Sequence, residues 1–265
     1  MHRYSYYKTA ACTLNVSIGD PQANKEEILK CIQELDSDTQ LVVFPELCIT
    51  GYTCQDLFYE HTLLNSAKQV LFEIVEELPE NLVTVLGLPL EIENKLYNCA
   101  AICFNHDILG IQVKTYIPSY NEFYETRWFS SASELKENTT FTYKDKKVPV
   151  SNHIVFKDTT TSACLGIEIC EDLWVTIPVS STHALAGANV LCNLSASNEI
   201  ISKANYRRNL VKDQSAKCYA GYVYASAGPT ESSSDLVFSG HNLICENGAI
   251  LSETKTDKII YGQID

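Results

Sequence analysis

The sequence predicts a layered α/β domain on three observations: apolar strand-like runs that recur along the chain, helical segments between them, and a C-terminal stretch in which only strands remain. Its 265 residues, 45% of them hydrophobic, can bury one substantial core, and that length suits a single large domain over 1–265 better than two small ones.

Taken in order, β-branched and apolar runs at 9–16, 41–44, 82–86, 98–104, 108–114, 154–156, 163–169 and 190–194 read as strands, several of them buried on both faces. Apolar residues at three- and four-residue spacing predict helices over 25–35, 62–78, 181–188 and 204–219. Beyond these the helices stop. Short strands are predicted over 222–225, 236–238, 242–245, 249–252 and 259–264, with a turn at Glu246-Asn247-Gly248 and antiparallel pairing. The polar stretch 130–147 reads as a surface flap or hairpin, and no repeat or long linker divides the chain.

A net charge of −13 argues against nucleic acid or an anionic membrane surface as partner, since both would call for a basic face. Small molecules become the favoured ligands. The eleven cysteines are odd in number and include no CxxC pair, so neither a disulfide framework nor a zinc site is legible. The N-terminal MHRYSYYKTAACTLNV lacks an apolar leader core, and no later run approaches the roughly 20 apolar residues that span a bilayer. A reducing cytoplasm is the expected location, with most cysteines serving as small buried apolar residues.

Three predicted strands end in chemistry. The run Leu41-Val42-Val43-Phe44 leads into Pro45, which cannot continue a hydrogen-bonded ladder, and then into Glu46, a candidate general base. A helix-capping or salt-bridged Glu is equally compatible with this motif alone. The run 108–113 ends at Lys114, where a fixed cation could stabilise an oxyanion, although a strand-end lysine is more often just solvated. The run 163–169 ends at Cys170, followed by Glu171, Asp172, Trp174 and Pro178. A tight turn there would present the thiol outward with backbone N–H groups beside it, although an arbitrary cysteine among eleven is more often buried and inert. Ligands of α/β sheets bind at strand ends, so the three can converge. A cysteine–histidine or metal centre using His153, His183 or His241 has no supporting spacing.

Glu46, Lys114 and Cys170, in that order and those local contexts, resemble the nitrilase, or carbon–nitrogen hydrolase, superfamily. The stretches FPELCITGYTCQDLF, KTYIPSYNEFYETRWF, CEDLWVTIP, NLSASN and YRRNLVKDQSAKCYAGYVYASAG are closer to one branch, the glutaminase domain of glutamine-dependent NAD+ synthetases. The resemblance implies a four-layer α-β-β-α sandwich and a thioester mechanism: Cys170 attacks the side-chain amide of glutamine, Glu46 moves the protons, and Lys114 with the backbone N–H of Glu171 holds the oxyanion. It also implies a supporting role for Glu122, eight residues past Lys114, in positioning the lysine or the substrate, and glutamine contacts by Tyr120, Glu171 and Ser197.

By the same resemblance no metal or organic cofactor is needed for hydrolysis. ATP and Mg2+ would belong to a synthetase domain that accepts the ammonia, and no Gly/Ser-rich phosphate loop precedes Asp265. The chain is therefore expected to act as an isolated glutaminase domain and to form a homo-oligomer. A stand-alone ω-amidase or carbamoylase, and a non-catalytic scaffold, are the alternatives.

Overall fold

A computed structural model describes residues 6–265; residues 1–5, part of the stretch read as lacking a leader core, lie outside the described residues. In chain order the strands and helices are β1 (Tyr7–Cys12), α1 (Pro21–Gln33), β2 (Leu41–Val43), α2 (His61–Glu77), β3 (Val83–Ile92), β4 (Lys95–Phe104), β5 (Asp107–Val113), the small hairpin β6 (Ser119–Tyr120) and β7 (Phe123–Tyr124), β8 (Thr140–Tyr143) and β9 (Lys146–Ser151). There follow β10 (Val155–Lys157), β11 (Cys164–Ile169), α3 (Val179–Leu185), β12 (Val190–Ser195), α4 (Lys203–Cys218), β13 (Gly221–Ser226), β14 (Asn242–Glu246), β15 (Ala249–Thr254) and β16 (Ile259–Ile264).

Two mixed sheets face each other. One has the order β16-β1-β2-β3-β4-β5-β9-β8, the other β10-β11-β12-β13-β14-β15. The period of two along each strand sorts side chains between layers. Ala11, Leu41, Val43 and Val85 turn inward to meet Leu165, Ile167, Val190 and Val223 of the second sheet. Their neighbours Ala10, Val42, Leu86 and Leu88 turn outward and pack on Ile28, Val70 and Ile74 of α1 and α2. On the far side, Leu191, Tyr222 and Tyr224 meet Val211 of α4. The result is the expected α-β-β-α stack.

Local chemistry explains the element ends. Asp20 caps α1, its Oδ1 accepting from the Ala23 N–H at 3.1 Å, and Pro21 supplies a preset φ at the first helical position, so the helix starts four residues earlier than apolar spacing indicates. Tight hairpins turn on residue pairs with positive φ, Glu93 with Asn94, Asn105 with His106, and Lys144 with Asp145; the last pair closes the polar excursion into a β8–β9 hairpin. Asn247 and Gly248 make the predicted C-terminal turn. The predicted strand at 236–238 does not form. Serine side chains take two of its three N–H groups, Ser233 Oγ accepting from Leu236 and Ser232 Oγ from Phe238, so the segment joins no ladder. Among the described residues no helix is long and apolar enough to cross a membrane.

Because β1, β2 and β3 are parallel and two antiparallel steps relate β3 to β5, the C-terminal ends of β2 and β5 lie at the same edge of the first sheet. In the second sheet β11, β12 and β13 are parallel. The chemistry gathers where these ends meet.

Candidate active site

Glu46 leaves the end of β2 through a sharp turn in which Leu47 takes φ of 51°. The turn lies directly on Gly87 of β3, where an added Cβ would stand 2.4 Å from Leu47 N and 2.7 Å from Pro45 O, so glycine is required for this close approach. The carboxylate is fully buried and fully used. Glu46 Oε1 accepts from Asn98 Nδ2 at 2.7 Å and from Lys114 Nζ at 2.6 Å, and Oε2 accepts from the Ala196 N–H just past β12 at 2.9 Å. It therefore ties the two sheets together at the site.

Lys114 follows β5 and is also fully buried. Its Nζ donates to Glu46 and, at 2.9 and 2.8 Å, to both oxygens of Glu125. Burial alone would lower the ammonium, but the charges of Glu125 and Glu46 outweigh it and hold Lys114 well above the usual lysine value. Two buried carboxylates share one cation, so one of them is driven towards its neutral form: burial, with Glu46 nearby, pushes Glu125 up to about 7. Glu125 also accepts from the Tyr52 hydroxyl at 2.8 Å.

Cys170 sits immediately after β11 at φ of 45°, a left-handed conformation unusual for a residue with a side chain. Its N–H donates to Asn193 Oδ1 at 3.2 Å. Asp172 staples this turn to the lysine segment: one oxygen accepts from the Thr115 and Tyr116 N–H groups at 3.0 and 2.9 Å, the other from the Ile169 N–H at 3.1 Å. Burial raises Asp172 to about 8. Burial, then the charge of Glu46, pushes the Cys170 thiol far up, with Lys114 opposing. The resting sulfur is a thiol, and an attack requires a base.

The structure thus brings Glu46, Lys114 and Cys170 into one buried cluster. Glu122 is placed differently from one of its two expected roles. It makes no contact with Lys114, whose second carboxylate is Glu125, and instead accepts a hydrogen bond from Asn198 Nδ2. Asn198 Oδ1 in turn accepts from Lys203 Nζ, which lies over the Trp174 and Phe123 rings. Burial lowers Lys203 from its ordinary value. The Tyr120 hydroxyl donates to both oxygens of Glu171, at 3.0 and 2.9 Å, at the edge of an open groove that also takes in Tyr116, Pro118, Ser130 and Val175. Burial raises Glu171 above the ordinary carboxylate value. Ser197 is buried, with its Oγ accepting from the Arg207 guanidinium.

A larger cavity of about 820 Å³ lies at the opposite end of the strands, near Tyr7, Ala163 and Val190, and includes none of these groups. Nor do the histidines join them. His183 Nε2 is 3.1 Å from the Asn152 carbonyl oxygen, and His241 lies between Arg207 and Glu253.

Sequence reading missed Glu125, Asn98, Asp172 and Lys203. Asn98 was visible as an amide inside an otherwise apolar strand, and Asp172 as the second acid after Cys170. For Glu125 the only signal was a second glutamate three residues beyond Glu122.

A family model described as carbon–nitrogen hydrolase matches residues 8–265. A glutamine-dependent NAD(+) synthetase of Mycobacterium tuberculosis is 38% identical over 257 residues, covering 96% of this chain and 38% of the relative. A solved glutamine-dependent NAD(+) synthetase from Cytophaga hutchinsonii superposes with a TM-score of 0.86 at 30% identity, covering 98% of this chain and 43% of the other. A Saccharomyces cerevisiae member of branch 10 of the nitrilase superfamily gives 0.75 at 20% identity, with 98% and 90% covered, a likeness of fold. The chain thus spans about two fifths of the length of the synthetases it matches.

Proposed function

The chain belongs to the carbon–nitrogen hydrolase family, and we propose that within it the protein is a glutamine amidohydrolase that supplies ammonia to an NAD+ synthetase module. The observation that carries this reading is the buried contact of Lys114 with Glu46 at 2.6 Å beside the strained Cys170 turn. A base, a cation and a thiol are assembled where none of them needs a metal to act.

In this mechanism Glu46 takes the thiol proton as Cys170 Sγ attacks the carboxamide carbon of glutamine. The oxyanion is held by Lys114 Nζ and the Glu171 N–H. Glu46 returns the proton to the departing ammonia, leaving a γ-glutamyl thioester. Water activated by the same carboxylate then attacks the thioester, releasing glutamate and restoring the thiol. Glu125 keeps Lys114 oriented throughout.

At the other end of the substrate, an α-ammonium demands an anion and an α-carboxylate a cation. Glu171, oriented by Tyr120, supplies the first and Lys203 the second. Glu122 and Asn198 hold Lys203 in place, and Ser197 shapes the turn beside them.

The resemblance to synthetases about two and a half times as long supports a partner module that uses ATP and Mg2+ to amidate nicotinic acid adenine dinucleotide. Exposed Leu185, Ile201 and Tyr206 on and beside α3 and α4 support assembly of copies through that layer, and light scattering should give a dimer or larger. The function is tested with a glutamine-mimicking diazo-ketone followed by intact mass. One adduct on the wild type, blocked by glutamine and absent from Cys170→Ala, is expected; an adduct unchanged in Cys170→Ala would overturn the assignment.

A further inference from the structure

Behind the nucleophile the second sheet buries hydroxyls where apolar side chains would pack as well. Ser195, the last residue of β12, and Tyr224 on β13 are both fully buried. Ser195 Oγ lies 3.4 Å from Cys170 Sγ and 2.5 Å from Tyr224 Oη.

The direction of this pair is set at the phenol. Among the described residues the buried Tyr224 Oη has one hydrogen-bond partner, Ser195, so its hydrogen has no other acceptor. The phenol donates to Ser195, and the Ser195 hydroxyl is left to donate to sulfur. If the thiol donated to Ser195 and the serine to Tyr224, the buried phenol would keep a hydrogen without an acceptor.

We propose that Ser195 is a further catalytic residue, which donates its hydroxyl to the Cys170 sulfur as negative charge develops there, with Tyr224 as a positioning residue that fixes the direction of donation. Ser195 keeps its proton at every stage; the thiol proton goes to Glu46. Donation stabilises sulfur both when it is deprotonated for attack and when it departs from the thioester. The inference rests on reading Cys170 as the nucleophile.

The other ionisable groups around the sulfur are Glu46, Lys114, Glu125, Tyr52, Tyr120 and Lys203. Ser195 and Tyr224 carry no charge in the working range, so their removal changes donation and leaves that electrostatic surround in place.

The test is the rate of Cys170 alkylation by chloroacetamide, a small neutral electrophile, between pH 6 and 10, with the site mapped by peptide mass. A hydrogen bond to a charged group is strong enough that Ser195→Ala should slow labelling about tenfold at every pH in this range. Ser195→Thr should restore most of the rate, and Tyr224→Phe should slow labelling in the same direction as Ser195→Ala. For glutamine hydrolysis, kcat should fall with KM little changed. A folded Ser195→Ala protein with the wild-type labelling rate overturns the proposal. If that variant unfolds, Tyr224→Phe decides, and a wild-type rate there overturns it. Glutamine hydrolysis that persists in Cys170→Ala sinks the nucleophile assignment itself, a separate result.

Discussion

Replacing Lys114 by methionine, which keeps most of its length, should expose how the site balances its charges. The ammonium is the one cation touching two buried carboxylates, 2.6 Å from Glu46 and 2.8 Å from Glu125. At an effective dielectric of about 20 each contact is worth about 6 kcal/mol of Coulomb attraction. Desolvation offsets much of this, and removing one partner of a buried pair costs about 3–5 kcal/mol in practice. That loss is expected at pH 8, above the value of about 7 to which Glu125 is raised. The sign of the pH dependence follows from Glu125. Its folded value is already raised to about 7, so the folded chain binds a proton more tightly than the unfolded one, and stability declines as pH rises through that value. Without Lys114, Glu125 loses the charge that opposes this shift and is pushed further in the same direction. Acidification to pH 6 should therefore return about 1–3 kcal/mol of the deficit relative to wild type. Guanidinium denaturation of both proteins at the two pH values measures it, and Glu125→Gln in the methionine background should recover stability at pH 8. A deficit below about 1 kcal/mol, the size of an exposed pair, or one identical at both pH values, would refute the picture of one cation holding two buried acids.

Gly87→Ala should damage activity and stability together: its Cβ meets backbone at 2.4 Å, so the Glu46 turn must shift, with about 1–3 kcal/mol lost and turnover down about a hundredfold for a displacement near 1 Å. Wild-type kinetics and melting in that variant would show the close approach to be slack. Asp172→Ala leaves three N–H groups without their acceptor, and at about 1–3 kcal/mol for each group left buried and unpaired it should lower Tm sharply and cut alkylation of Cys170; Asp172→Asn, which retains one acceptor oxygen, should lose less. Glu125→Gln and Glu122→Gln should separate kinetically, the first lowering kcat through Lys114 and the second raising KM for glutamine through Asn198 and Lys203. Steady-state kinetics that reverse this division would contradict the assignments.

The layered α/β class was legible because burial on both faces writes long apolar runs into β2, β4, β11 and β12, whereas the four-layer sandwich was implied by the resemblance, since other α/β folds use the same runs between helices. Helix α4 was legible for a different reason. Its inner positions Arg207, Val211, Gln214 and Ser215 keep helical spacing, but three of the four are polar, because that face holds the Ser197 turn and the α3 serines through Arg207 and Gln214. Residues 236–238 misled because apolar β-formers say nothing of where their N–H groups go, and nearby serine hydroxyls took them.

The site divides along the same line. Glu46, Lys114 and Cys170 each stand at the end of an apolar run, so a one-dimensional pattern marks them. Glu125 follows no strand of the sandwich; it lies past the β6–β7 hairpin, whose fold decides which of two glutamates three residues apart points inward. Ser195 and Tyr224 were hidden in another way, Tyr224 as a hydroxyl inside a strand predicted over 222–225 and Ser195 as the residue just past the run 190–194. What selects them is the pairing of β12 with β13, which sets the two hydroxyls against each other and beside the sulfur. A nucleophile can be found from the strand that presents it. The groups that set its protonation come from the neighbouring strands, and pairing rather than sequence proximity brings them there.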